Sequence, residues 1–254
     1  MMILDKFSLK GKTALVTGSS RGLGTAIAVA LAQAGANVAV HGSTTAPEAT
    51  RLKVEASGQK ALALVGDVGS PEVCASLVED TFKHFGAIDI LVNNAGTIRR
   101  APAAEYSEED WLTVINVNLT SVFRLTQHAG RHMLQQGSGK IINIASVLTF
   151  QGGILVPAYA AAKGGLGQLT KAFANEWAAK GVNVNAIAPG YMETDNTEAL
   201  RKNSERSRQI LDRIPAGRWG QPDDLAGAVV FLASRASDYM HGHVLVVDGG
   251  WLNR

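Results

Sequence analysis

Short apolar runs alternate along the chain with longer segments in which apolar residues recur every three or four positions. The runs predict seven strands, at 13–17, 37–41, 61–65, 89–93, 140–145, 183–188 and 243–247. Several of them, including IDILV and KIINIA, are apolar at nearly every position rather than at alternate positions. This pattern is typical of strands that are buried on both faces of a parallel sheet.

The segments between the strands predict helices, which lie at 22–34, 71–85, 108–128, 157–180 and 222–233. Three of these helices begin with proline, which suits the first helical turn because the missing N–H has no partner there. The alternation of strands and helices predicts an α/β fold. We expect a single domain over residues 1–254, with a doubly wound parallel sheet of about seven strands and helices on both faces.

The segment at 191–213 differs from the rest of the chain in its charge. It holds ten charged residues in 23, whereas charged residues make up 18% of the whole chain. The segment follows the sixth predicted strand, and open α/β sheets bind ligands beyond the carboxyl ends of their strands. We therefore expect a substrate lid at 191–216, with a pair of solvated helices as the alternative.

Composition and charge exclude several classes of function. The chain of 254 residues is 46% hydrophobic and carries a net charge of +2, which argues against disorder and against nucleic acid or an anionic membrane as the main partner. The single cysteine, Cys74, cannot form an internal disulfide. No apolar run is long enough for a signal peptide or a membrane span. We expect a cytoplasmic protein without a metal site.

A glycine-rich loop, TGSSRGLG at 17–24, lies between the first predicted strand and the first predicted helix. Glycines allow a tight turn and a close approach of the backbone to a pyrophosphate, and the helix N-terminus offers free N–H groups. The spacing is a variant of the usual dinucleotide fingerprint, and a simple turn is the alternative. The loop and its flanking elements predict a dinucleotide cofactor.

The residues after the second strand favour NADP over NAD. An acidic residue at this position selects the free 2′-hydroxyl of NAD, whereas His41 and Ser43 are followed by no carboxylate before Glu48. Arg21 in the glycine loop is suited to a 2′-phosphate, although simple solvent exposure is its alternative role. Asp67, after the third strand, is placed to meet the adenine amino group.

Tyr159 and Lys163 are four residues apart in a predicted helix and therefore share one face. At about 4 Å and an effective dielectric near 20, an ammonium stabilises a phenolate by about 4 kcal/mol. We therefore expect Lys163 to bring the pKa of Tyr159 towards working pH, so that Tyr159 acts as a general acid and base. The same spacing also occurs on many ordinary helix surfaces.

Two further polar residues complete the predicted catalytic group. Ser146 ends the fifth strand, where its hydroxyl can hold a substrate oxygen beside Tyr159; a turn-forming serine is the alternative. Asn118 lies in a predicted helix, where asparagine is mildly unfavourable. We expect it to bond backbone and water on a proton path from Lys163, with a polar residue at a helix irregularity as the alternative.

Together these motifs resemble the short-chain dehydrogenase/reductase family, in the family's order over residues 8–254, with NNAG at 93–96 after the fourth strand. The resemblance implies a seven-stranded Rossmann sheet and a homotetramer. It implies a catalytic tetrad of Asn118, Ser146, Tyr159 and Lys163. Besides Tyr159 and Lys163, the implied or predicted cofactor contacts are Gly18, Ser20, Arg21, Gly22, Leu23, Gly24, His41, Ser43, Asp67, Val68, Asn94, Ala95, Gly96, Pro189, Gly190, Met192 and Thr194.

Stretches outside the general motifs, such as FQGGILVPAY and ILDRIPAGRWG, resemble family members that act on sugar acids. This resemblance implies reversible hydride transfer between a nicotinamide and a ketone or secondary alcohol of a deoxy or keto-deoxy sugar acid. A small acid of this kind needs a cation or hydrogen-bond donors. The candidate substrate contacts are Arg99, Arg100, Ser146, Gln151 and Tyr191, with solvent exposure as the alternative for the two arginines.

Two other functions are compatible with the fold. A 3-oxoacyl-carrier-protein reductase would use the same tetrad but needs a basic docking patch beside an apolar acyl channel, and the mixed charge of the lid argues against it. A protein that senses NAD(P) without catalysis need not retain all four tetrad residues, so their presence argues against a sensor.

Overall fold

A computed structural model, which describes residues 2–254, contains seven strands in a single sheet. The strands are β1 (Thr13–Val16), β2 (Asn37–Gly42), β3 (Ala61–Val65), β4 (Ile90–Asn93), β5 (Gly139–Ile144), β6 (Val182–Pro189) and β7 (Val244–Val247). They are all parallel and lie in the order β3-β2-β1-β4-β5-β6-β7. The predicted fold class is confirmed, and each strand end falls within one residue of its prediction.

The helices connect successive strands. They are α1 (Gly22–Gln33), α2 (Glu48–Ala56), α3 (Pro71–Phe85), α4 (Glu108–Ile115), α5 (Ser121–Gln136), α6 (Pro157–Trp177), α7 (Asp195–Lys202), α8 (Ser204–Leu211) and α9 (Ala226–Ala233). The pair α7 and α8 occupies the segment that was predicted as a lid.

Two helix predictions need correction. The helix predicted at 108–128 is interrupted by a π-helical turn, Asn116–Thr120, which separates α4 from α5. Helix α2 was not predicted. It buries only Thr50 and Val54, so its apolar pattern is too sparse to distinguish from a loop.

The core has a layer on each face of the sheet because successive strand residues point to opposite sides. In β1, Leu15 and Val16 are both fully buried, yet they belong to different hydrophobic clusters. Val16 packs with the layer that contains α1 and α9, and Leu15 packs with the layer that contains α3 and α5. This two-sided burial explains the continuous apolar runs of the sequence.

Within residues 2–254, no helix has the length and apolar character needed to cross a membrane. The same residues contain no grouping of His, Cys, Asp and Glu side chains that could hold a metal ion.

Candidate active site

A cleft of about 540 Å³ lies at the carboxyl ends of the central strands. It contains the predicted tetrad and every predicted cofactor contact. The predicted residues that line it are Gly18, Ser20, Arg21, Gly22, Leu23, Gly24, His41, Ser43, Asp67, Val68, Asn94, Ala95, Gly96, Arg99, Asn118, Ser146, Tyr159, Lys163, Pro189, Gly190, Met192 and Thr194. Three predicted substrate residues are outside this lining: Arg100, Gln151 and Tyr191.

His41 holds the glycine loop in place. Its Nδ1 accepts a hydrogen bond of 3.1 Å from the Gly18 N–H, and its Nε2 lies 2.8 Å from the Gly66 carbonyl oxygen. Because a backbone N–H can only donate, Nδ1 is unprotonated and Nε2 carries the hydrogen. Burial lowers the pKa of His41, although the Gly66 bond and the charge of Asp67 oppose this effect. The buried imidazole is therefore neutral, and both of its nitrogens are committed to the protein rather than to a ligand.

Asn94 fixes the same loop from the end of β4. Its Nδ2 donates to the carbonyl oxygens of Thr17 and Gly18, both at 2.9 Å. A Cβ at Gly24 would meet the Gly18 carbonyl oxygen and lie 2.6 Å from Asn94 Nδ2. Protein atoms therefore already require glycine at this position, in addition to any need for space beside a pyrophosphate.

The lining fits a nicotinamide dinucleotide. The loop turns at Gly22, whose φ of +55° favours glycine, and leads directly into the N-terminus of α1, where free N–H groups suit a pyrophosphate. Ser43 and Asp67 lie beyond β2 and β3, on the side where an adenosine would bind. Lys163 lines the same cleft, together with Ser146 and Tyr159. The residues present therefore match both the phosphates and the two nucleoside ends of the group.

Tyr159 is in the first turn of α6, next to Ser146. Burial raises the pKa of Tyr159 to about 12, while the hydrogen bond with Ser146 and the charge of Arg100 lower it by less. The expectation that Lys163 brings this pKa towards working pH is therefore wrong for the protein alone. The Lys163 Nζ lies 5.5 Å from the centre of the phenol ring, and the lost hydration of a phenolate outweighs its attraction. Tyr159 is a protonated acid.

Lys163 is a buried ammonium with one strong contact to the protein. It is 5% exposed, and its Nζ donates to the Ile144 carbonyl oxygen at 2.6 Å. Burial lowers the pKa of Lys163 to about 8, so the side chain is mostly charged at neutral pH. An ammonium has three donors. Residues 2–254 provide a single acceptor for it, and the remaining N–H groups are available for a ligand in the cleft.

Asn118 connects the π-helical turn to the loop after β4. Its Nδ2 donates to the carbonyl oxygens of Thr97 and Val114, both at 2.8 Å, and its Oδ1 accepts from the Thr97 N–H at 3.2 Å. Both amide hydrogens are therefore used by the backbone. The expected bonds to backbone are present, and the residue lies at a helix irregularity. The side chain has no free N–H for a proton path.

The two candidate arginines have different surroundings. Arg99 lies 3.3 Å from Asp110 and also donates to Thr97 Oγ1, so its charge is already balanced. Arg100 donates to the Asn196 carbonyl oxygen at 3.0 Å, and its charge lowers the pKa of Tyr159. Of the two arginines, Arg100 is therefore the one whose charge acts on Tyr159.

Gln151 and Tyr191 lie next to the cleft rather than in its wall. Tyr191 packs against the rings of Trp251 and Trp219, at 4.6 and 5.6 Å between ring centres. It lines a smaller cavity of about 190 Å³, while its neighbours Gly190 and Met192 line both cavities. Gln151 accepts a hydrogen bond from Arg213, 3.4 Å away.

The predicted lid is in contact with the glycine loop. Arg21 Nε lies 3.1 Å from Asp195 Oδ2, the first residue of α7, and both side chains are largely exposed. Thr194, just before α7, faces Gly22. The first residues of the lid therefore border the cleft directly.

Sequence reasoning missed several residues of the cleft. These are Thr97, Thr113, Val117, Ile144, Ala145, Asp195, Asn196 and Thr197. Three of them, Asp195, Asn196 and Thr197, lie in the segment at 191–216 that was predicted as a lid, although they were not named as site residues. The others are ordinary polar or apolar residues that only the fold brings to the cleft.

Comparisons with known proteins agree with this geometry. The family model described as enoyl-(acyl carrier protein) reductase matches residues 18–252. A 2-dehydro-3-deoxy-D-gluconate 5-dehydrogenase of Bacillus subtilis is 57% identical over 98% of each chain, and that of Escherichia coli is 54% identical over the full length of both. A crystal structure of a protein from Agrobacterium tumefaciens, assigned as a 2-deoxy-d-gluconate 3-dehydrogenase, contains bound NADP. It is 56% identical to this chain and superposes with a TM-score of 0.93, and the match covers 98% of this chain and 100% of that chain.

Proposed function

Because the chain belongs to the short-chain dehydrogenase/reductase family and is a nicotinamide-dependent oxidoreductase, we propose that it interconverts a ketone and a secondary alcohol of a keto-deoxy sugar acid. The observation that carries this proposal is the position of Tyr159, Ser146 and Lys163 together in one cleft with a dinucleotide loop. The full-length identity to sugar-acid dehydrogenases supports the class of substrate.

The cofactor supplies or accepts the hydride when it is bound. Lys163 is available to hold its ribose with the N–H groups that the protein leaves free. Asn94 and His41 keep the glycine loop in position for the phosphates. These residues act by binding and orientation rather than by chemistry.

Tyr159 holds the proton that the carbonyl oxygen receives during reduction. Its pKa, raised to about 12 by burial, keeps it protonated before the substrate and cofactor bind. Ser146 donates a second hydrogen bond to the same oxygen, and the ammonium of Lys163 stabilises the phenolate that remains. Asn118 positions the loop and the π-helical turn beside Lys163; a direct proton relay through its amide N–H groups is not part of this proposal.

The proposed cofactor is NADP rather than NAD. No carboxylate lies between the end of β2 and Glu48 to repel a 2′-phosphate, and Arg21, Ser20 and Ser43 line the cleft nearby. The NADP bound in the Agrobacterium tumefaciens relative supports this preference. Arg21 is paired with Asp195, so the 2′-phosphate would compete with that carboxylate for the guanidinium.

Arg100 is the proposed substrate contact near the reacting carbon. It carries an unbalanced charge close to Tyr159, whereas Arg99 is neutralised by Asp110. A guanidinium at this position can donate to the hydroxyl or carbonyl oxygens that neighbour the reacting carbon.

We also propose that the protein is a homotetramer with one active site in each single-domain subunit. Three large apolar side chains on α4 and α5 are exposed in the isolated chain: Trp111, Leu112 and Phe123, at 40%, 58% and 41%. Burial of such a face against a second copy would remove this apolar area from water. Light scattering on the purified protein measures the subunit count.

The test of the proposed activity is a panel of ketones assayed at 340 nm with NADH and NADPH in parallel. We expect turnover of keto-deoxy and 5-keto six-carbon acids, faster with NADPH than with NADH. Preferred turnover of a 3-oxoacyl thioester would identify a carrier-protein reductase instead. Cofactor binding without turnover of any carbonyl would identify a sensor.

A further inference from the structure

Tyr191, which follows the carboxyl end of β6, is connected to Arg213 through Trp251, whose ring packs on both side chains. Burial raises the pKa of the Tyr191 phenol, and the nearby charges of Arg206, Arg213 and Arg100 oppose that rise. Tyr191 lies between Gly190 and Met192, which both line the cleft, so this group of side chains borders the cleft. The substrate end of the site is therefore positively charged.

None of these three arginines has an acidic side chain at ion-pair distance within residues 2–254. Arg206 donates to Gln209, Arg213 to Gln151 and to the main-chain oxygen of Arg254, and Arg100 to Asn196. Three neighbouring cations are balanced, namely Arg201 by Glu193, Lys202 by Glu198, and Arg218 by Asp224, whereas Arg208 on α8 has no acidic side chain at ion-pair distance within residues 2–254 either. An anion could therefore bind to these arginines without displacing an acidic side chain.

Of the three, Arg213 is the one that stacks on an aromatic ring. Its guanidinium lies 4.1 Å from the ring centre of Trp251, which is 4% exposed and also packs on Tyr191. A guanidinium that stacks on an indole keeps its edge N–H groups free for a carboxylate, and stacking reduces the entropy that is lost on binding.

Gln151 connects Arg213 to the reacting part of the site. Ser146 caps a single 3-10 turn, Val147–Thr149, and Gln151 follows two residues after that turn. Five positions in the sequence separate Gln151 from Ser146. In a six-carbon keto acid the reacting carbonyl, at C5, lies four bonds from the carboxylate carbon at C1, so the carboxylate needs a partner away from Ser146 itself.

We propose that Arg213, held by Trp251 and Gln151, binds the carboxylate of the substrate at the end remote from the reacting carbon. This subsite selects for negative charge and for the distance between the carboxylate and the ketone. The inference rests on the proposed sugar-acid function and adds the residue that recognises the acid.

The test compares Arg213→Gln with the matched variant Arg208→Gln. Arg208 is exposed on α8, so its replacement removes the same charge from the lid without touching Trp251. The substrates are 5-keto-D-gluconate and its neutral methyl ester. For Arg213→Gln we expect the KM of the acid to rise tenfold or more, with kcat within threefold and the KM of the ester unchanged, because a charge-assisted hydrogen bond is worth about 1.5–3 kcal/mol. Arg208→Gln should leave all these values unchanged.

Two further measurements separate recognition from a structural effect. The Kd for NADPH, measured by fluorescence, should be unchanged in Arg213→Gln, and Arg213→Lys should recover part of the affinity for the acid. If Arg213→Gln does not fold, Arg213→Lys alone tests the subsite. We then expect its KM for the acid to be higher than that of the wild type and its KM for the ester to be unchanged.

Three results would overturn the subsite. They are an equal rise in KM for the acid and the ester in Arg213→Gln, no rise in KM for the acid in that variant, and the same rise in Arg208→Gln. Failure of the wild type to reduce any sugar-acid ketone would overturn the proposed function and the subsite with it. Wild-type turnover together with an unaffected Arg213→Gln would remove the subsite alone.

Discussion

At the scale of single residues, burial controls the ionisation of the proposed catalytic pair. An ammonium and a phenol at helical spacing predict a lowered tyrosine pKa if Coulomb attraction dominates. The enclosed site reverses this result because Tyr159 and Lys163 both lose hydration, which favours the neutral form of each. The four-residue spacing correctly predicted that Tyr159 and Lys163 are neighbours. Their burial depends on side chains from distant parts of the chain, so it could not be predicted from the local sequence.

Lys163 should make the stability of the protein depend on pH. Its pKa is about 8 in the folded protein and near 10.5 when unfolded, so between these values the unfolded state binds more protons. A folded pKa below the unfolded one means that stability rises with pH through this window. We expect the free energy of unfolding of the wild type, relative to Lys163→Met, to rise by roughly 2 kcal/mol between pH 7 and pH 10.

Chemical denaturation of both proteins at several pH values measures this difference, and other titrating groups cancel because the variants share them. A difference that stays constant with pH would show that Lys163 is hydrated in the folded protein.

His41 should make the protein sensitive to acid. Burial lowers its pKa below the unfolded value of 6.5, so the unfolded state takes up a proton first as the pH falls. Stability is therefore lost below about pH 6.5, where protonation of Nδ1 would also break its bond to the Gly18 N–H. Wild type should lose more stability than His41→Gln between pH 7 and pH 5. Parallel pH profiles for the two proteins would contradict this role.

At the scale of elements, the π-helical turn is the feature that sequence periodicity could not predict. The apolar pattern continues through 108–128 and predicts one helix, but Asn118 needs the extra residue of Asn116–Thr120 to turn its amide towards the loop after β4. Its three hydrogen bonds are buried, and an asparagine in a helix is the only local sign of them.

Removal of the Asn118 amide should therefore destabilise the fold. Asn118→Ala loses three buried hydrogen bonds and leaves backbone groups unpaired, which costs about 2–4 kcal/mol. Denaturant titration measures the loss. Asn118→Asp should also be destabilised because it lacks both N–H donors. A cost below about 0.5 kcal/mol for the alanine variant would mean that the turn is held by other contacts.

The segment predicted as a lid is the second element that the sequence predicted only in outline. Charge density located the segment, but its ion pair between Arg21 and Asp195 depends on the approach of two remote parts of the chain. Asp195→Asn should free Arg21 and tighten NADPH binding by at most about fivefold, because an exposed pair is worth about 0.2–1 kcal/mol.

NADH affinity should not change in that variant, since NADH lacks the 2′-phosphate. Asp212→Asn is the matched control: it removes one carboxylate from the same segment, and Asp212 pairs with no cation in residues 2–254. Fluorescence titration with both cofactors measures the effect. Equal tightening of NADH and NADPH would show that Asp195 acts on the lid rather than through Arg21.

At the scale of the whole molecule, the sheet was predictable because β1 and β4 are buried on both sides and are apolar at nearly every position. The glycine loop was predictable because it directly follows β1, and the proximity of Tyr159 and Lys163 was predictable because they are four residues apart in one helix. Arg213 was not, because its contact with Trp251 joins the end of the lid to the C-terminal turn, and that contact exists only in the folded chain.

The central claim is that this protein reduces a sugar-acid ketone with the proton of Tyr159, and Tyr159→Phe tests it most directly. The measurement is NADPH oxidation with a 5-keto six-carbon acid, together with the Kd for NADPH. We expect turnover to fall by about 10²–10⁴-fold, because the phenyl ring keeps the packing but has no proton to give, while the cofactor Kd stays within twofold. Turnover near the wild-type rate in a variant that binds NADPH normally would contradict the account.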